Sequence, residues 1–174
     1  MCIRDSSRSD ADVCKPASAS SPELVMADWD GRFLTLAEVV ASWSKDPSTK
    51  CGAVIVRPDK TIASVGFNGF PRGTLDDPEF YDDRELKYAR VVHAEVNAVV
   101  HAREPLHGYT LYVWPPGAGP TCDRCAGVVI QSGITNVVYL DGGGGEFGER
   151  WSLACSRALD LYFEAGVELR RVVR

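Results

Sequence analysis

From Gly52 to the C-terminus, short apolar runs alternate with stretches of helical period, and that alternation narrows the folds open to this chain. "CGAVIVRPDKTIASVGFN" reads as two strands, Gly52–Val56 and Thr61–Phe67, joined as a hairpin by the turn Arg57-Pro58-Asp59-Lys60. "YTLYVWP", "TNVVYL" and "VELRRVV" read as further strands. The helices between them carry "HAEVNAVVHA", "CDRCAGVVIQSG" and "ERWSLACSRALDLYFEAG", the last two ended by Gly133 and Gly166. Upstream, "DGRFLTLAEVVASWS" places Phe33, Leu34, Leu36, Val39, Val40 and Trp43 at helical spacing. The stretch from Asn68 to about Tyr81 reads as polar turns, and "DGGGGEFG" (Asp141–Gly148) as a flexible loop. The order α-β-β-α-β-α-β-α-β predicts a five-stranded mixed sheet, largely parallel and covered on both faces, with an antiparallel hairpin at its start. Trp43, Trp151, Leu153, Leu159 and Phe163 are expected in the core, with Cys51 and Cys155 as small core residues.

The 174 residues suit one domain with a sizeable core. Residues 1–26 are rich in Ser, Ala and Asp and lack periodicity, so they are expected to form a disordered tail, with "MCIRDSS" read as an assembly scar. The domain is expected over 27–174. No apolar run reaches the ~20 residues of a membrane span, and no secretory signal is visible. A net charge of -5 argues against a duplex-binding face, yet leaves room for a small anionic ligand held by local Arg or Lys. Six cysteines could form disulfides, but a chain of this size without an export signal points to a reducing, cytoplasmic setting.

Cys122 and Cys125 therefore need another explanation. Three apart at a helix start, both sulfurs reach one ion, and the free N–H groups and dipole there favour thiolates. Thr121 is placed to cap that start. A third ligand must come from elsewhere: His93 is the strongest candidate, with His101 and His107 as alternatives. His93 and Glu95 stand two apart. In mid-helix they would diverge by ~200°, so sharing a pocket requires a helix that begins at or just before His93. One His and two Cys make three zinc ligands, and three leave the fourth tetrahedral position open, which marks catalytic rather than structural zinc. Glu95, amid Val91, Val92 and Val96, is then the base beside the metal; left unpaired in that setting, its charge would be costly.

The run His93-x-Glu95 followed by Cys122-x-x-Cys125 resembles the zinc-dependent nucleobase deaminases, and more narrowly the deoxycytidylate (dCMP) deaminases. "SKDPSTKCGAVIV" looks like that family's first strand and lead-in, and "GFNGFPRG" like its substrate loop. The similarity covers about Trp29 to Val173. It implies a three-layer α/β/α sandwich of the cytidine deaminase type and hydrolysis at C4 of a cytosine nucleotide, dCMP to dUMP. His93, Cys122 and Cys125 would hold Zn2+ and Glu95 would carry protons. Asn68 matches the family asparagine at the sugar, and the main chain at Ala94 would position the base. Arg72 and Lys45 are phosphate candidates, and a homo-oligomer is expected. The chain departs from the pattern at "WPPGAGPTCDRC", where Thr121 intervenes between Pro120 and Cys122 and the preceding loop is longer.

Three alternatives stand beside this reading. One is a nucleic-acid deaminase, disfavoured by the acidic balance. The second is a deaminase of a free base. The third is a non-catalytic zinc-containing nucleotide-binding protein, against which Glu95 speaks, because a structural site needs no acid–base residue.

Overall fold

A computed structural model describes residues 28–117, 119–142 and 146–173. The tail expected over 1–26 and part of the expected glycine loop, 143–145, lie outside the described residues. The first helix, α1 (Trp29–Ala41), is capped by Asp28, whose Oδ1 accepts from the Gly31 N–H at 2.8 Å. The strands are β1 (Gly52–Val56), β2 (Ile62–Phe67), β3 (Thr110–Gly117), β4 (Asn136–Asp141) and β5 (Glu168–Val172). They form one five-stranded sheet in the order β2-β1-β3-β4-β5. The sheet is less parallel than expected: β1 runs antiparallel to both β2 and β3, and only β3, β4 and β5 are mutually parallel. The hairpin sets this, because it reverses the chain before the first helical crossover.

Side-chain alternation along the strands divides the core in two. Val54, Val56, Tyr112, Val138 and Leu140 pack with Phe33, Leu34, Ala37 and Val40 of α1. Ala53, Ile55, Leu111, Val113 and Val137 face the opposite layer of helices. That layer contains α4 (Ala94–His101), α5 (Asp123–Gln131) and α6 (Glu146–Glu164). The result is the expected three-layer α/β/α sandwich. Gly52 and Gly66 bring the helix layers close. A Cβ on Gly52 would lie 2.1 Å from the Ala37 carbonyl oxygen, and one on Gly66 2.3 Å from the Ala94 carbonyl oxygen. Gly133 (φ +85°) and Gly166 (φ +71°) close α5 and α6 as expected.

Several expectations are corrected. Two short helices, α2 (Glu79–Asp82) and α3 (Arg84–Arg90), precede α4. Asp83 caps α3 by accepting from Leu86 N–H at 3.0 Å. The deeply buried residue of α3 is Lys87, so no apolar period announces the helix. Trp43, Leu153 and Phe163 are not core residues; they are 52%, 62% and 86% exposed. The buried stripe of α6 is instead Cys155, Ala158 and Tyr162, a helical spacing that turns Leu153 and Phe163 outward. Val39 also faces out, whereas Leu159 is half-buried. No described helix is long and apolar enough to cross a membrane.

Candidate active site

His93 and Cys122 occupy equivalent places at the starts of α4 and α5. Each is the N-cap residue, with extended backbone (φ -71°, ψ 156° and φ -79°, ψ 163°). As the spacing required, α4 begins immediately after His93, so the imidazole and Glu95 line one pocket. Thr121 does not cap α5, contrary to expectation. It is buried, its hydroxyl lies 3.0 Å from the Tyr162 hydroxyl, and it donates to the Cys122 carbonyl at 3.1 Å, tying the α5 start to α6. On the α4 side, Gly69 and Val92 exchange backbone hydrogen bonds of 3.1 and 2.8 Å, and Asn97 Nδ2 donates to the Phe67 carbonyl at 2.8 Å.

His93 Nδ1 lies 3.4 Å from Cys122 Sγ and 3.3 Å from Cys125 Sγ. In a tetrahedral zinc site with ordinary Zn–N and Zn–S bonds, such N···S edges measure about 3.5 Å. The three donors therefore fit a zinc ion; His101 and His107 are not in the cluster. A hydrogen bond from Cys125 and the neighbouring His93 draw the Cys122 thiol below its ordinary range, while the Cys122 sulfur and burial push Cys125 up. The hydrogen bond with Cys122 holds His93 above its usual range. Burial raises the Glu95 carboxyl, although the nearby His93 partly opposes this.

One wall of the pocket is a buried polar lattice that sequence reasoning missed. Lys87 Nζ and Asp46 form an ion pair at 2.8 Å, with side chains 8% and 1% exposed. Asp46 Oδ1 also accepts from the backbone N–H groups of Ser48 (2.9 Å) and Thr49 (3.0 Å). These bonds outweigh burial and hold the Asp46 carboxyl below its ordinary range. Asn68 is part of this lattice. Its Nδ2 donates to the Thr49 carbonyl at 2.9 Å and to Asp46 at 3.3 Å, and its Oδ1 accepts from Cys51 N–H at 2.7 Å.

Asn68 lines the pocket, whereas Ala94, 1% exposed, packs in the core beside it. Lys45 and Arg72 are not brought to the pocket. Lys45 pairs with Asp76 at 2.7 Å and Arg72 is exposed elsewhere. In their place the lining includes Tyr88, Arg150 and Trp151. The Trp151 ring stands 5.9 Å from His93, edge to face, so this residue borders the site as well as the protein interior. Cys51 and Cys155 also line the pocket, with thiols raised by burial, that of Cys155 to about 11. None of these residues carries a local sequence signal; a fold-level contact is what reveals them.

Comparison with known proteins agrees with this geometry. Residues 27–141 match the family model described as the cytidine and deoxycytidylate deaminase zinc-binding region. An uncharacterized deaminase in the luxG 3'region of Aliivibrio fischeri is 41% identical over 147 residues, 83% of this chain and 94% of that protein. A probable deoxycytidylate deaminase of Caenorhabditis elegans is 44% identical over 117 residues, 63% of this chain and 56% of that protein. This chain thus spans little more than half of the worm relative. A crystal structure of the dCMP deaminase from cyanophage S-TIM5, in complex with dCMP and dUMP, shares the fold with a TM-score of 0.62 at 22% identity, covering 84% of this chain and 98% of that one.

Proposed function

This chain belongs to the cytidine and deoxycytidylate deaminase family, and on that premise we propose that it hydrolyses dCMP to dUMP and ammonia. The observation that carries the reading is the grouping of His93 Nδ1 with both sulfurs at 3.3 and 3.4 Å, in a pocket that Glu95 also lines. His93, Cys122 and Cys125 would hold zinc. When bound, zinc supplies Lewis acidity, which makes water a competent nucleophile near neutral pH.

The remaining steps belong to the protein. Glu95 takes one proton from the attacking water and delivers it to N3 of the cytosine ring. It then moves the second proton from the oxygen now bonded to C4 to the C4 amino group, so that the C4–N bond breaks, ammonia leaves and the C4 carbonyl of dUMP remains. Burial suits Glu95 to this exchange by bringing its carboxyl nearer to the pH at which it both accepts and releases a proton. The pocket wall of Val113, Trp114 and Pro115 suits a flat ring. Asn68 has both amide hydrogens engaged, so a sugar hydroxyl would meet the remaining acceptor capacity of Oδ1. The main chain of Ala94, at the α4 start, supports placement of the base.

The outward Leu153 and Phe163 support a homo-oligomer, and free thiols at Cys51, Cys122, Cys125 and Cys155 suit a cytoplasmic setting. The test is ammonia release from the zinc-loaded protein given dCMP, CMP, deoxycytidine, cytosine, guanine or a short oligonucleotide. Turnover of dCMP is expected. Turnover of any other compound with none of dCMP would overturn the substrate assignment, and no turnover at all with zinc bound would favour a nucleotide-binding protein without catalysis.

A further inference from the structure

We propose that Tyr162, acting through Thr121, is a positioning residue for Cys122: two buried hydroxyls in series fix the main chain of this metal-binding cysteine and strengthen the hold of the site on zinc; the proposal rests on the zinc site of the reading above. Cys122 needs such support. It is the N-cap of α5, yet its side chain makes no capping hydrogen bond; its sulfur lies instead 3.4 Å from His93 Nδ1. An N-cap residue is only half inside the helix, so the repeating helical bonds do not by themselves set its backbone. The Cys122 carbonyl accepts the first intrahelical bond, from the Ala126 N–H at 3.0 Å, and a second from Thr121 Oγ1 at 3.1 Å. Two donors on one carbonyl fix the peptide plane that follows Cys122, and with it the direction in which the Cα–Cβ bond presents the sulfur.

The direction of the two bonds follows from proton counting. A hydroxyl has one proton to donate. Thr121 gives its proton to the Cys122 carbonyl, so across the 3.0 Å contact the Tyr162 hydroxyl is the donor. Burial holds that hydroxyl above its ordinary range, and it keeps its proton. Donation in series polarises each bond in turn, and does so most where water is excluded. Both residues meet that condition, with Thr121 5% and Tyr162 0% exposed. The tyrosine ring packs in one core cluster with Ala126 and Val129 of α5 and Ala158 of α6. Its backbone is held as well, because the Val167 N–H donates to the Tyr162 carbonyl at 2.9 Å where α6 ends. Ring and backbone are therefore immobile, and the hydroxyl is a fixed point against which the metal-binding turn is set. Thr121 stands between Pro120 and Cys122, and Tyr162 follows residue 141, where the family match ends, so this tie is supplied by the chain's own last helix.

The experiment uses the full chain and measures zinc affinity by competition with a chromophoric chelator, the melting temperature of the zinc-free protein, and ammonia release from dCMP. Tyr162→Phe keeps the ring and Thr121→Val keeps the branched shape. Each is expected to weaken zinc binding about tenfold, the ordinary effect of removing a group that orients a metal ligand. Thr121→Ser keeps the hydroxyl and is expected to recover most of that affinity. Because Tyr162 acts through Thr121, Tyr162→Phe combined with Thr121→Val should bind zinc no more weakly than Thr121→Val alone. With cobalt(II) as the probe, the thiolate-to-metal absorption should shift in both single variants and return in Thr121→Ser. If one single variant fails to fold, the other carries the comparison with the wild type. Unchanged zinc affinity, or losses that add in the double variant, would overturn the proposal. So would a lower zinc-free melting temperature with zinc affinity and cobalt spectrum intact, the mark of packing alone. Wild-type protein that binds no zinc would overturn the proposal together with the zinc site. Hydroxyl-dependent zinc binding without ammonia release would support the tie and refute the deaminase reading, so the two fail separately.

Discussion

Glu95 is the residue on which chemistry and structure separate most cleanly. Glu95→Gln keeps the shape and leaves the three donors in place, so metal content by elemental analysis should stay stoichiometric while turnover falls about 10²–10⁴-fold. Cys122→Ala removes a donor from a buried site, and the same analysis should show zinc lost, with a lower melting temperature. Asp46 offers a test by pH. Its carboxyl is held below the model-peptide value of 3.8, so its contribution to stability is fully present above that value and is lost as pH falls through the lowered folded value. The denaturation midpoint of the wild type should therefore drop below about pH 3.8, and Asp46→Asn should flatten that limb. His93, Glu95, Cys122 and Cys125 were legible in the sequence because helix starts at known spacings gather them. Asp46, Lys87 and Arg150 were not, since residues 41 and 101 positions apart in the chain meet only through the fold.

At the scale of elements, α4 is held against β2 by the absence of a side chain. Gly66 leaves no room for a Cβ between β2 and the backbone of α4, 2.3 Å away at both Ala94 and Ala98. Gly66→Ala should cost about 3 kcal/mol in denaturant unfolding and, by displacing the helix that begins after His93, weaken zinc retention. Gly69→Ala, where a Cβ would meet nothing within 4 Å, is the matched control and should retain zinc as the wild type does. Helix α3 shows where pattern reading runs out. Its buried residue is a lysine drawn inward by Asp46, and an ion pair leaves no apolar period to detect. In α6 the period was present, but the small residues Cys155 and Ala158, together with Tyr162, took the inner face, and the larger Leu153 and Phe163 were left outside.

For the whole molecule, zinc binding and folding should be one equilibrium. The donors come from the starts of α4 and α5, and these helices hold them in register only in the folded chain. Chelation should lower the melting temperature, and the loss should reverse with added zinc in proportion to the logarithm of its concentration; a transition indifferent to zinc would separate the metal from the fold. What the sequence by itself determined was the set of strands, the chief helices and the donor triad, because these follow from local periodicity and from spacing along one or two turns. What only the tertiary structure decided was the direction of β1 against β3, the inner face of α6, the Asp46–Lys87 wall and the place of Tyr88 and Trp151 in the pocket lining. Those depend on which distant surfaces bury one another, a free energy summed over the whole core that no local window contains.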